Sequence, residues 1–155
     1  MSLQSSDPPP LIGALLRLPW EAVQRRMLDR LHAAGFTDLT AAHLAVMLYP
    51  GPEGRRPSDI AMQRGMSRQA LNYILGQVEA LGYLERRTDP DDQRSKRIAL
   101  TPRGRRAGEV MRKTVLELER EWSEQLGTDR FAELKRLLTE LSGSRQVLVQ
   151  PDESA

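Results

Sequence analysis

Between Pro57 and Gly104 the chain carries side chains suited to gripping and reading a polyanion. Arg68, Gln69, Asn72 and Tyr73 follow directly on Ser67, at spacings that put them on one face of a helix. Arginine presents a planar fork that matches the edge of guanine, and Asn or Gln offers the donor–acceptor pair that suits adenine. Further on, Arg86, Arg87, Arg94, Lys96 and Arg97 gather around Asp89-Pro90-Asp91-Asp92-Gln93-Arg94-Ser95, a stretch rich in turn formers. An arm ending in arginine suits a minor groove and its phosphates. The plain alternative for both groups is a solvated basic surface.

Two helices and a hairpin are needed to hold these groups in place. The first helix carries Ile60 and Ala61 inward and stops at Gly65, a residue that tolerates the left-handed conformation of a tight turn. Ser67 can cap the second helix with its hydroxyl. On that helix Ala70, Leu71, Ile74, Leu75, Val78 and Leu81 form one apolar stripe at spacings of three and four. Residues 83–88 and 96–101 read as strands, with Leu84, Ile98 and Leu100 on the inner side. Asp92, two residues before Arg94, can steady it through a short ion pair. Helix, turn, helix and hairpin make a winged helix, whose second helix enters a major groove by its N-terminal end.

At this point a family resemblance joins the residue reading. The run DPDDQRSKRIALTPRG resembles the wing of the MarR family of bacterial transcriptional regulators, with Asp92-x-Arg94, Leu100-Thr101 and Gly104 at that family's spacing. SRQALNYILGQVEALGYLERR is similar to the family's recognition helix and its exit into the wing. The match is specific over residues 55–106 and looser in the flanking helices. Together the two readings assign DNA contacts to Ser67, Arg68, Gln69, Asn72, Tyr73, Arg86, Arg94, Ser95, Lys96 and Arg97. The resemblance also implies a homodimer built from the terminal helices, usually a repressor. In many members a small aromatic or phenolic anion releases the DNA. By position, such an effector would meet Trp20, Met27, Met47 and Met111; simple packing is the alternative for each. The pair Asn72-Tyr73 does not translate into a base sequence.

The flanks divide as follows. Residues 1–10 are polar and proline-rich and read as a flexible arm. Residues 11–36 supply an N-terminal helix of the dimerisation region, with a short opening turn and then a helix that begins near Pro19 and ends at Gly35. Its first part, before Pro19, is more apolar than one chain's core needs, which hints at a subunit interface. Residues 37–106 form the winged helix-turn-helix, whose first helix is capped near Thr40 and turns Leu44, Met47 and Leu48 inward. Residues 107–145 are C-terminal dimerisation helices. Thr101 caps and Pro102 opens the first of them, which runs to Leu126; Thr128-Asp129 starts the second, with a stripe of Phe131, Leu134, Leu137, Leu138 and Leu141. A 25-residue helix spans roughly 37 Å and has to bury its stripe somewhere, so a second copy is the natural partner. Residues 146–155 are a tail.

Composition closes off other classes. The 155 residues suit one domain with a real core. There are no cysteines, which removes disulfides, thiolate metal sites and thiol-based peroxide sensing. His32 and His43 stand apart without carboxylate neighbours at ligand spacing and read as packing or solvent-facing residues, so no metal or cofactor is expected. No run of about 18 apolar residues offers a membrane span and no signal peptide opens the chain, which places the protein in the cytoplasm.

Charge is distributed unevenly. Residues 54–106 hold twelve Lys/Arg against six Asp/Glu, net +6, whereas residues 1–53 carry −1 and residues 107–155 carry −3. The positive excess therefore sits on the winged-helix segment, as a phosphate-binding part requires. A protein-interaction module on the same fold is the alternative, and the +6 segment counts against it. No nucleophile, base and orienting group converge, and no glycine-rich phosphate loop exists, so the chain is not an enzyme.

Overall fold

A computed structural model describes residues 9–48, 50 and 53–143. The elements are α1 (Ile12–Ala33), α2 (Ala41–Met47), α3 (Pro57–Arg64), α4 (Arg68–Ala80), β1 (Leu84–Thr88), β2 (Lys96–Leu100), α5 (Pro102–Leu126) and α6 (Thr128–Ser142). The architecture is mainly helical with one antiparallel hairpin, a winged helix-turn-helix flanked by N- and C-terminal helices. Most of the expected arm and all of the expected tail lie outside the described residues.

The opening of α1 departs from the sequence reading. The helix starts at Ile12 and runs without a break through Pro19 instead of starting there. Proline removes one intrahelical bond, the one that would end on the Leu15 carbonyl. Leu15 is 49% exposed, so water can satisfy that oxygen and the apolar period continues on both sides. Met27 and Leu31 are the buried residues of this helix.

α2 is capped as expected, and His43 takes part. The Thr40 N–H donates to His43 Nδ1 at 3.2 Å, and Nε2 of the same ring lies 3.3 Å from Gln77 Oε1 on α4. With Nδ1 accepting, Nε2 carries the proton and donates to that amide oxygen. His43 is thus a packing residue that joins α2 to α4, while His32 Nε2 meets the Leu39 carbonyl at 3.0 Å.

Gly65 closes α3 with φ 62°, and Met66 N–H reaches back to the Ala61 carbonyl at 3.0 Å. Ser67 Oγ then accepts from the Ala70 N–H at 3.1 Å and opens α4. The buried line of α4 is Leu71, Leu75 and Val78, packed against α2 and α3. Ile74 and Leu81 pack at its edge; Ala70 is exposed, because the covered stripe is narrower than the apolar pattern.

The strands pair Leu84 with Leu100 and Arg86 with Ile98, which turns Leu84 and Ile98 into the core. A third piece of extended chain joins them. Arg55 N–H donates to the Ile98 carbonyl at 2.9 Å, and Ile98 N–H donates to the Arg55 carbonyl at 2.7 Å. The segment before α3 is therefore stitched to the outer side of the hairpin, which the proline- and glycine-rich sequence there did not announce.

Thr101 caps α5 by accepting from the Gly104 N–H at 3.0 Å, and its hydroxyl donates to the Gly82 carbonyl at 2.6 Å. Gly104, Ala107, Met111, Thr114 and Leu118 are buried along α5, largely against α1. α6 packs on α5, yet no residue of α6 is buried within the chain. No helix among the described residues is long and apolar enough to cross a membrane, and no group of three or more His, Asp or Glu there could hold a metal ion.

Candidate nucleic-acid interface

The outer face of α4 is bare. Arg68, Gln69, Asn72 and Tyr73 are exposed, Tyr73 to 71%, and the first turn contains no acidic residue. Arg68 has no ion pair among the described residues. Its guanidinium, at the positive end of the helix, is therefore uncommitted. A cleft of about 390 Å³ lies beside it, lined by Pro57, Ser58, Arg68, Leu71, Asn72 and Arg86. Residues from α3, α4 and β1 thus meet on one basic surface.

The basic residues of the wing fall into two groups. Arg94 and Lys96 are exposed; among the described residues Lys96 Nζ donates to Thr88 Oγ1 at 3.1 Å and has no ion pair, and Arg94 has none either. The other arginines are tied into the protein. Arg86 Nε donates to Glu79 on α4 at 2.9 Å, Arg87 pairs with its neighbour Glu85 at 2.5 Å, and Arg97 binds Asp89 and Asp91 at 3.1 and 2.8 Å.

Asp92 does not form the expected ion pair with Arg94. Its Oδ1 accepts from the Arg94 backbone N–H at 3.0 Å, and its Oδ2 accepts from Ser95 Oγ at 2.6 Å. Those bonds, that of Ser95 first, hold the Asp92 carboxyl below the usual carboxylate range. The carboxylate shapes the turn, because in a loop of this size the backbone N–H groups are nearer than the arginine's own long side chain. Ser95 accordingly serves the turn as a scaffold residue, and Ser67 serves α4 as its cap.

Two charged clusters, one between the wing and the start of α3 and one at the C-terminal end of α4, were not legible in the sequence. Asp89 has no solvent exposure, and its carboxylate receives Arg56 Nε at 2.6 Å and Arg97 Nε at 3.1 Å. Burial pushes this carboxyl up, but the bonds from Arg56, Arg97 and the Asp91 N–H outweigh it and hold the group well below the usual range. In the second cluster Tyr83 Oη donates to Asp38 Oδ1 at 2.5 Å, and Arg103 Nη2 donates to Asp38 Oδ2 at 2.9 Å and to Tyr83 Oη at 3.0 Å. The Arg103 guanidinium also lies over the Tyr83 ring, 4.4 Å from its centre. Burial first, and the bond to Asp38 second, raise the Tyr83 phenol above its ordinary value. In the sequence Asp89 was one of three aspartates in a turn, with nothing to single it out.

The residues assigned to an effector do not all fall together. Met27, Met47 and Met111 are buried in the common core at 1%, 4% and 2% exposure, whereas Trp20, further towards the N-terminus of α1, is 43% exposed.

Comparison with known proteins follows the same outline. Residues 34–95 match a family model described as the MarR family. Among solved structures, a MarR family transcription regulator, SP03579, is 27% identical, with a TM-score of 0.64, over 84% of this chain and 82% of its own. A transcriptional repressor, CouR, bound to a 23-mer DNA duplex is 24% identical, with a TM-score of 0.66, over 92% and 99%. CouR from Rhodococcus jostii RHA1 bound to p-coumaroyl-CoA is 21% identical, with a TM-score of 0.68, over 97% and 99%. No curated protein sequence matches significantly. Residues 34–95 thus resemble the MarR family, and the chain shares its fold with solved MarR family transcription regulators.

Proposed function

We propose that this protein is a cytoplasmic, sequence-specific transcriptional repressor that binds a pseudo-palindromic operator as a homodimer. The observation that carries the reading is the bare N-terminal face of α4, where the uncommitted Arg68 and the neighbouring Asn72 share a cleft with Arg86 from the wing. Arg68, Gln69, Asn72 and Tyr73 read base edges in the major groove, and Arg94 and Lys96 meet the minor groove or its phosphates. Residues 37–106 are the DNA-binding part.

Residues 11–36 and 107–145 form the dimerisation region. In support, Leu11 and the α1 residues Ile12, Leu15, Leu16 and Leu18 are between 46% and 83% exposed, and α6 leaves Leu134, Leu137 and Leu141 at 40%, 43% and 76%. Exposed apolar stripes of this kind on terminal helices fit an interface. A small aromatic or phenolic effector fits the ligand carried by the CouR relative. It would act between the two parts, near Trp20, Met27, Met47 and Met111.

Fluorescence anisotropy against DNA from upstream of the gene and against scrambled DNA, across a salt series, tests the reading. Tighter binding to the upstream DNA by about a hundredfold or more, falling steeply with salt, supports a specific regulator. Absence of binding at low salt rejects it in favour of a protein-interaction module. Candidate phenolic acids and their thioesters added to the complex then test release.

A further inference from the structure

We propose that Asp89 is a positioning residue for DNA binding by the wing. It acts as a buried strut that fixes the hairpin to the start of α3 and so sets where Arg94 stands relative to α4. This inference rests on the DNA-binding reading above.

The carboxylate of Asp89, with no solvent exposure, sits where three parts of the chain meet. Its Oδ2 receives Arg56 Nε at 2.6 Å, and Arg56 is the residue that caps α3. Its Oδ1 receives Arg97 Nε from β2 at 3.1 Å and the Asp91 N–H from the turn at 3.0 Å. The Asp89 N–H itself closes the turn on the Ser95 carbonyl at 3.0 Å. The neighbouring bridge between Arg55 and Ile98 runs alongside, so backbone and buried charge tie the same two elements. A two-stranded hairpin is marginal alone and pivots easily unless something else anchors it.

The arrangement divides the arginines by role. Arg56 and Arg97 both place Nε on Asp89, and Arg97 is only 21% exposed, so their charge is spent on the strut. Arg97, assigned to DNA from sequence, is reassigned here to the scaffold. Arg94, free of ion pairs among the described residues, is the group the strut presents. Removing a partner from a buried charge network leaves the other charges uncompensated, so the geometry is held by all three groups together.

The test compares the parent with Asp89→Asn, Arg94→Ala and the double variant, in anisotropy titrations over salt, with circular dichroism to check folding. Asp89→Asn is expected to weaken operator binding as much as Arg94→Ala does, with a salt slope shallower by about 1 in each. The double variant is expected to lose no more than either single one. A general loss of folded protein would lower the active fraction but leave the slope unchanged. Parent-like binding by Asp89→Asn, losses that add in the double variant, or a silent Arg94→Ala beside a weakened Asp89→Asn would each overturn the inference while leaving the regulator reading intact. Should Asp89→Asn fail to fold, Arg56→Gln removes the α3 end of the strut and is judged by the same comparison. A parent that binds no DNA rejects the regulator reading and this inference with it.

Discussion

The carbonyl oxygen of Tyr83 lies 2.0 Å from the place where a β-carbon on Gly104 would stand. The same oxygen accepts from the Thr101 N–H at 3.0 Å, so the first turn of α5 rests directly on the junction between α4 and the wing. Side chains cannot relieve a clash with backbone, which makes glycine a requirement at this crossing. Gly104→Ala should therefore destabilise the fold by about 3 kcal/mol, lowering the melting temperature by roughly 6–12 °C. Gly108 provides the contrast, since its β-carbon would meet only Leu100 Cδ1 at 3.9 Å. Gly108→Ala should be neutral or stabilising by up to about 1 kcal/mol, because alanine favours the helix. Equal thermal melts for the two variants would show that the crossing is looser than described.

Tyr83→Phe removes a buried hydroxyl that both donates to Asp38 and accepts from Arg103. The expected cost is about 1–2 kcal/mol by denaturant titration. The pH dependence follows from the two shifts. Tyr83 is raised, so its contribution is complete below the unfolded phenol value of about 10 and is lost as pH climbs through the higher folded value. Asp38 is lowered, chiefly by the Tyr83 bond, so its contribution is present above about pH 4 and fades as pH falls through the lower folded value. The stability gap between parent and Tyr83→Phe should thus be widest between about pH 4 and 10. A gap that does not change across that range and beyond would remove the hydroxyl–carboxylate bond as its cause.

Arg68→Ala should cost about 1–3 kcal/mol of operator binding and relax the preference at one base position. Competition titrations with single-base operator variants measure this. Equal loss on every sequence would reduce Arg68 to a phosphate contact.

Leu137→Glu puts a charge on the exposed stripe of α6 without touching the core of the chain, because no α6 residue is buried there. Sedimentation equilibrium should find twice the chain mass for the parent and a shift towards single-chain mass for the variant, with unchanged helical content. A parent that sediments as one chain would falsify the homodimer.

Much of the local structure was legible from residue types alone. Gly65, Ser67, Thr101 and Pro102 stand where the turn and the caps require them, since capping depends on groups a few residues apart. The limits of α5 and α6 followed from Pro102, Leu126, Gly127 and Gly143 in the same way. Pro19 misled because proline's local penalty was outweighed by a helix that continues on both sides of it.

The sequence by itself determined the order of elements, the basic segment and the bare face of α4. These depend on periodicity and on charge, which are carried by neighbours in the chain. Only the tertiary structure decided which of the basic residues are free. Arg56 and Asp89, 33 positions apart, and Asp38, Tyr83 and Arg103, spread across α1–α2, α4–β1 and α5, become partners through packing alone. An arginine that meets a buried carboxylate becomes part of the scaffold, and one that meets none among the described residues, such as Arg94, stays exposed. No pattern along the chain distinguishes the two, because their charge and their spacing are alike and only the distance across the fold differs.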